Sequence, residues 1–246
     1  MIKNKAGGFK ANINRFLIGT FLKRISISLR TLVIVAPHPD DEIFGFGGSL
    51  LKLVRGGSQV YIIYLTDGEG SGIWHDTKEI KTQRIFLSEK AVTLLGIDIS
   101  NIYRLHFSDG SLPHYRQPGF KKIVAEIKSL VDLLRPEAVF ATHPLDYWPF
   151  DHVACAEIVS EALRLSNTKT QLWYYWVWAW YNARPWELSF KKLKKVDISH
   201  QLPMKMELMD IYLNSYTPEG KPWSGSLPRS LVKSFYYPFE IVERII

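Results

Sequence analysis

The chain has 246 residues, 46% of them hydrophobic and 22% charged, with a formal net charge of +7 and a pI near 9.3. That balance suits one α/β domain with an appendage and excludes a disordered or fibrous chain. The lone cysteine, Cys155, excludes an internal disulfide, and no apolar run reaches the ~18 residues that a bilayer span needs.

Residues 1–30 form a basic extension that carries Lys3, Lys5, Lys10, Arg15, Lys23, Arg24 and Arg30 and no acid. Apolar positions from Phe9 to Ile27 fall on one helical face. Such a helix packs on its own domain, the favoured reading, or lies on an anionic membrane through residues 1–28. Basic residues interrupt its apolar positions and no small-residue cleavage site follows, so it does not read as a signal peptide. Residues 31–246 are expected to form a single α/β domain. Residues 32–36 read as a buried strand of a parallel sheet, and 43–55 as a helix stopped by Gly56-Gly57. A strand at 59–65 runs into a glycine-rich loop at 66–72, and no GxGxxG fingerprint follows the first strand. A helix at 78–95, a short strand at 101–105, a helix at 120–134, a strand at 138–141 and a helix at 153–165 continue the alternation.

Beyond Asn167 the composition shifts. Residues 172–181 hold four of the eight tryptophans and read as one core strand, with an aromatic wall for a sugar or lipid chain as the minority alternative. A strand at 191–199, a helix at 202–214, a loop at 216–228 long enough to form a lid, and a last strand at 239–245 complete the chain.

Two of the strands end in proline-studded turns that hold imidazoles and carboxylates. The first is Pro37-His38-Pro39-Asp40-Asp41-Glu42. The second is Thr142-His143-Pro144-Leu145-Asp146-Tyr147-Trp148-Pro149-Phe150-Asp151-His152. Proline fixes φ and stiffens each turn, and a parallel sheet sets both turns on its C-terminal edge, where ligands bind in open α/β folds. Helix capping by acids is the bland alternative. It accounts for Asp41, Glu42 and Asp151 but not for the imidazoles and prolines. His38, Asp41 and His152 meet the count of a catalytic zinc, three His or carboxylate ligands with one position left for water. Such a metal lowers the pKa of its water from ~16 toward ~7, and Asp40, beside a ligand but pointing elsewhere, is placed to take the proton. The chemistry this favours is amide or ester hydrolysis. Iron(II), manganese or cobalt suit the same ligands.

These two motifs together resemble the PIG-L/LmbE-like family of zinc-dependent N-acetylglucosaminyl de-N-acetylases, well over residues 31–165 and loosely beyond. The resemblance implies a Rossmann-like three-layer α/β sandwich with a mostly parallel sheet and the site at the C-terminal strand edge. It implies zinc on His38, Asp41 and His152, Asp40 as base, and an N-acetylated amino sugar in a glycoconjugate or glycan precursor as substrate. Asp109 matches a family aspartate that binds sugar hydroxyls, and Arg84 a family arginine that contacts substrate. The family often has a histidine two residues before the Asp-His pair. Here that position is Pro149, and His143 is the nearest histidine able to take its catalytic role. Asp151 is expected to orient His152 or a catalytic histidine from behind. His75 is a loop histidine near the pocket; His106, His114 and His200 are read as structural, and Cys155 as a packed core thiol.

A sugar- or nucleotide-binding α/β protein without catalysis is the alternative function. The basic charge favours anionic partners, but no Arg/Lys block interleaved with aromatics marks a nucleic-acid surface. The expected location is cytoplasmic, with association at the inner membrane face through the N-terminus left open.

Overall fold

The computed structural model describes residues 2–71 and 76–245. Its centre is an eight-stranded sheet in the order β1-β7-β8-β6-β5-β2-β3-β4. The strands are β1 (Arg24–Ile25), β2 (Thr31–Ala36), β3 (Gln59–Thr66), β4 (Ile102–Phe107), β5 (Ala138–Thr142), β6 (Gln171–Tyr175), β7 (Leu193–Asp197) and β8 (Phe239–Arg244). Every pairing is parallel except those that β8 makes with β6 and β7. This is the expected mostly parallel α/β sheet.

Alternate residues of β2 enter opposite cores. Leu32, Ile34 and Ala36 pack with α2 (Asp41–Arg55), α3 (Thr77–Leu95) and α7 (Leu202–Leu213), whereas Val33 and Val35 pack with α4 (Phe120–Leu134) and α5 (Phe150–Leu165). A strand buried on both faces needs a continuous apolar run, which is why 32–36 is legible as a strand. Each such Val, Leu or Ile contributes about 1.5–3 kcal/mol of burial.

The chain leaves β2 toward β3 and β4 on one side, then returns to lay β5 on the other side of β2. The fork between β2 and β5 is the switch point where doubly wound sheets open a crevice at their carboxyl ends. Both proline-studded turns start there.

Helix α1 (Ile2–Phe21) lies across α6 (Ala179–Asn182) and α8 (Arg229–Phe235), and β1 joins the sheet edge beside β7. Asn14 donates to the carbonyls of Trp180 and Ala183, and Arg15 to Ser230 O at 2.6 Å. Among the described residues no helix is long and apolar enough to cross a membrane.

The tryptophan-rich stretch is not one strand. β6 stops at Tyr175, and the chain then turns through 176–178 into α6. The reason is Asp146, whose carboxylate accepts from the backbone N–H groups of Val177, Trp178 and Ala179. Three amides aimed at one side chain cannot also serve a ladder. The 216–228 loop is present, and α8, which follows it, is not signalled by the sequence pattern.

Helix α2 presses hard on the sheet. A Cβ on Gly45 would sit 2.5 Å from the Tyr175 ring and 2.9 Å from the carbonyl of Trp176. A buried ion pair enters the same helix from the side. Lys205 Nζ donates to Phe44 O at 2.9 Å and lies 2.7 Å from Glu240 Oε1; Glu240 in turn accepts from Gly48 N and Ser49 N, each at 2.8 Å. Both side chains are almost wholly buried. Lys205→Met removes the cation and leaves the carboxylate in the core. The variant is expected to lose about 3–5 kcal/mol of stability, read as a lower urea midpoint at unchanged m-value.

Candidate metal centre and pocket

The first turn is held open against its own preference. Pro37 O accepts from Thr66 N at 3.0 Å and from Thr66 Oγ1 at 2.8 Å, which ties the ends of β2 and β3. Asp40 then adopts φ 130° and ψ −28°, a region L residues rarely occupy, at a cost of about 1–3 kcal/mol. Asp40 occupies the N-cap of α2 but its side chain does not cap. It points instead to Arg84, whose Nη2 is 3.0 Å from Oδ2. The strained residue is gripped from its backbone as well. Asp40 N donates to Glu42 Oε2 at 3.0 Å, and Glu42 Oε1 accepts from Tyr64 Oη at 2.8 Å and Tyr212 Oη at 3.2 Å.

Beyond that residue, His38, Asp41 and His152 converge. Asp41 Oδ2 is 3.2 Å from His38 Nδ1, Asp41 Oδ1 is 3.3 Å from His152 Nε2, and the two imidazole centroids are 5.3 Å apart. One donor atom from each lies within 4.8 Å of the others. A second group, His38, Asp109 and Asp151, meets the same criterion on the far side of the His38 ring.

The donor set decides between them. His152 Nδ1 lies 3.0 Å from Asp146 Oδ2, so that nitrogen carries the proton and Nε2 keeps its lone pair. That Nε2 is buried and has no hydrogen-bond partner. An orphaned, lone-pair-bearing nitrogen facing a carboxylate fits a cation. On His38 the outer Nε2 faces Asp109 Oδ1 at 3.0 Å and Asp151 Oδ2 at 3.3 Å, which leaves Nδ1 for the cation. Each imidazole is thus backed by carboxylate, the arrangement that orients histidine ligands. The residues present therefore fit a divalent ion on His38, Asp41 and His152.

When protonated, the same imidazoles and the acids around them set one another's charge. Burial alone would drive the His38 pKa down, but the carboxylates of Asp109, Asp151 and Asp41 hold it well above its usual value. Burial would raise Asp41, yet the facing imidazoles of His152 and His38 hold it below the usual carboxylate range. Burial raises Asp40 well above that range; Arg84 pulls it back, and the neighbouring Asp41 and Glu42 charges add to the rise. Burial takes Glu42 up to about 7.

Asp40, Asp41, His38, His152, Arg84 and Asp109 all line one cavity of about 540 Å³. Its other wall is apolar, built by Phe44, Trp148, Val177, Trp178 and Phe235, and 224–227 of the long loop closes one side. Arg84 is buried and spends its guanidinium on Asp40, Pro39 O and Gly68 O. Asp109 accepts from Gly70 N at 2.8 Å, and although burial opposes it, the nearby His38 and Arg84 hold its carboxyl well below the usual range.

Two expected roles move. His143 does not reach the cavity. Its Nε2 is 3.0 Å from Glu243 Oε2, and its Nδ1 accepts from Leu145 N at 3.0 Å, so both ring nitrogens are used away from the site. Among the described residues, His38 and His152 are the imidazoles that line the cavity. Asp151 does not back His152. It accepts from Gly110 N at 2.7 Å and Leu112 N at 3.1 Å and faces His38. The residue behind His152 is Asp146, whose sequence signal is an aspartate in the same turn, six positions ahead. His75 lies outside the described residues. His106 pairs with Asp67 at 2.7 Å and His114 with Glu157 at 3.2 Å, both away from the centre.

Residues 33–163 match the family model described as PIG-L: GlcNAc-PI de-N-acetylase. The chain belongs to this family. Relatives are consistent with it. The diacetylchitobiose deacetylase of Thermococcus kodakarensis is 29% identical over 121 residues, covering 47% of this chain and only 42% of the relative. A "probable N-acetyl-alpha-D-glucosaminyl L-malate deacetylase 2" of Bacillus anthracis is 26% identical over 192 residues, covering 76% of this chain and 82% of the relative. The fold is wider than the family's reaction. GalB, the 4-carboxy-2-hydroxymuconate hydratase of Pseudomonas putida KT2440, superposes with a TM-score of 0.66 at 12% identity, over 88% of this chain and 96% of the hydratase.

Two outcomes follow from this geometry. Asp146→Asn keeps an acceptor for the amides but weakens the grip on His152 Nδ1–H, and is expected to lower affinity for a divalent ion about 10–100-fold, measured by competition with a chelator of known affinity. Cys155, buried with Sγ 3.8 Å from Val35 O, has its thiol pushed up to about 12 by burial. At about pH 8 iodoacetamide is expected to leave it unlabelled in the folded protein and to label it in urea.

Proposed function

We propose that the protein is a zinc-dependent amidohydrolase that removes the acetyl group from an N-acetylated amino sugar in a glycoconjugate or glycan precursor. The observation that carries this reading is the buried, unpartnered Nε2 of His152 facing Asp41 and His38, in a cavity that also holds the unliganded Asp40. Family membership supports the reaction class, and the named acetylated sugars of the two relatives support the substrate class. The fold by itself supports neither, since it also carries a hydratase.

His38, Asp41 and His152 would hold the ion. When bound, zinc supplies a Lewis acid for the amide carbonyl and makes water acidic enough to ionise near neutral pH. Asp40 takes a proton from the attacking water at its carboxylate, while Arg84 fixes the orientation of that carboxylate through its 3.0 Å contact. The amide C–N bond breaks, acetate leaves, and the amine nitrogen takes up the proton. With Pro149 where the family often has histidine and His143 turned to Glu243, Asp40 is the residue that both accepts and returns that proton. Asp109 hydrogen-bonds sugar hydroxyls from the rim, and the apolar wall stacks on the less polar faces of the ring. Arg84 contacts substrate less than it positions Asp40.

Asp40→Asn tests the reading. It is expected to lower acetate release from N-acetylhexosamine conjugates by about 10²–10⁴-fold while metal content stays at that of the unaltered protein. Sugar binding that survives both this change and a chelator, with no acetate released by either form, would establish a non-catalytic binding protein instead.

A further inference from the structure

Helix α1 carries two apolar stripes, and its own domain covers only one. The inner stripe, with Ala11 and Ile18, is buried, and Gly7 gives way to the Tyr181 ring. The outer stripe, Phe9, half-buried Ile13 and Phe16, follows i, i+4, i+7 spacing on the opposite side. Phe9 is 67% exposed and Phe16 68%. The 3₁₀ turn Pro185–Glu187 packs beside α1 and shows Trp186 at 78% exposure. Phe21 and Phe190 add an edge-to-face pair at 6.0 Å.

This aromatic face continues to the mouth of the cavity. Asn182 accepts from Lys10 Nζ at 3.2 Å and donates from Nδ2 to Trp148 O at 2.7 Å, so one residue separates α1 from the rim. Trp148 and Phe150 line that rim and are 54% and 66% exposed. Single exposed apolar residues are ordinary on soluble proteins; a run of large aromatics joined in this way marks a contact surface.

Charge says what the surface meets. Among residues 7–30, Arg15 is buried, Lys10 is held on Asn182 O, and Arg24 and Arg30 pair with Asp197 and Glu137, which leaves Lys23 as the cation this segment presents to solvent. Lys23, Lys191 and Lys192 are exposed around the patch, and Arg184 stacks on Trp186 at 5.8 Å. The acids nearby are engaged: Glu187 accepts from Tyr147 Oη and Arg184 N, and Asp197 pairs with Arg24 at 3.1 Å. A second copy placed symmetrically here would set cations against cations. An anionic headgroup layer pairs with them, while the outer aromatics enter the acyl boundary.

We propose that this face docks the protein on an anionic lipid bilayer, with α1 lying in the interface plane and the cavity mouth at the level of the headgroups. The docking stands apart from the deacetylase reading, because its readout is vesicle binding alone.

Flotation of the full chain with phosphatidylcholine vesicles, with and without phosphatidylglycerol, tests it. Binding to the phosphatidylglycerol vesicles is expected, weaker by at least about tenfold on phosphatidylcholine alone or in high salt. The Phe9→Ser/Phe16→Ser/Trp186→Ser variant is expected to lose binding by at least about tenfold with an unchanged thermal midpoint. Lys23→Glu/Lys191→Glu leaves every aromatic in place, and is expected to weaken binding to the anionic vesicles alone. Absence of binding to either vesicle, or retention of full binding by both variants, overturns the proposal. So does a dimer that the serine variant dissolves, since the face would then belong to a second copy.

Discussion

The constraint on which this structure depends is an excess of carboxylate at the buried end of β2. Asp40, Asp41, Glu42, Asp146 and Asp151 are all buried, and Asp109 adds a sixth acid at the cavity wall. Against them stand two imidazoles and the guanidinium of Arg84. Negative charge gathered away from water must be paired, protonated or bound to a cation. The protein uses the first two: Arg84 pairs with Asp40, His38 is driven toward its charged form, and Glu42 and Asp40 are driven toward their neutral ones. A divalent ion on His38, Asp41 and His152 relieves the same excess directly. The strain at Asp40 belongs to this economy, because at φ 130° its carboxylate makes no cap to the helix and lines the cavity.

The switch-point topology explains why such a cluster sits where it does. β2 and β5 are neighbours with their connections departing on opposite sides, so the turns after them face each other across the crevice. Sequence-distant residues meet there at little ordering cost, since prolines stiffen both turns. Most of this was legible in the chain. Uninterrupted apolar runs mark β2, β3 and β5, glycines mark the ends of α2 and α3, and two imidazole–carboxylate turns after two parallel strands mark one edge.

What was not legible has a common cause. Asp146 ends β6 by gripping amides more than thirty residues away, at Val177, Trp178 and Ala179, and no local periodicity reports a side chain that distant. The same aspartate, rather than Asp151, backs His152, because α5 begins at Phe150 and turns Asp151 toward the amides of Gly110 and Leu112. His143 looked available because the turn places it near the site in sequence. Its partner Glu243 lies 100 residues on, on the antiparallel strand β8, and that strand fixes the ring away from the cavity. Lys205 and Glu240, which brace α2, are equally remote from it.

Pro149 ties the rim to the chemistry. In place of an imidazole, the turn ahead of Asp151 presents Trp148 and Phe150, and the cavity gains an apolar mouth where it loses a proton donor. A loss of that kind costs about 3 kcal/mol of oxyanion stabilisation unless another group compensates. Under the proposed function, the group left to handle that proton is Asp40, held 3.0 Å from Arg84. Arg84 orients its carboxylate, and Glu42 accepts from its backbone N–H at the strained position. On that proposal, the rim of Trp148 and Phe150 offers the cavity no imidazole, and Asp40 on the opposite wall handles the proton alone.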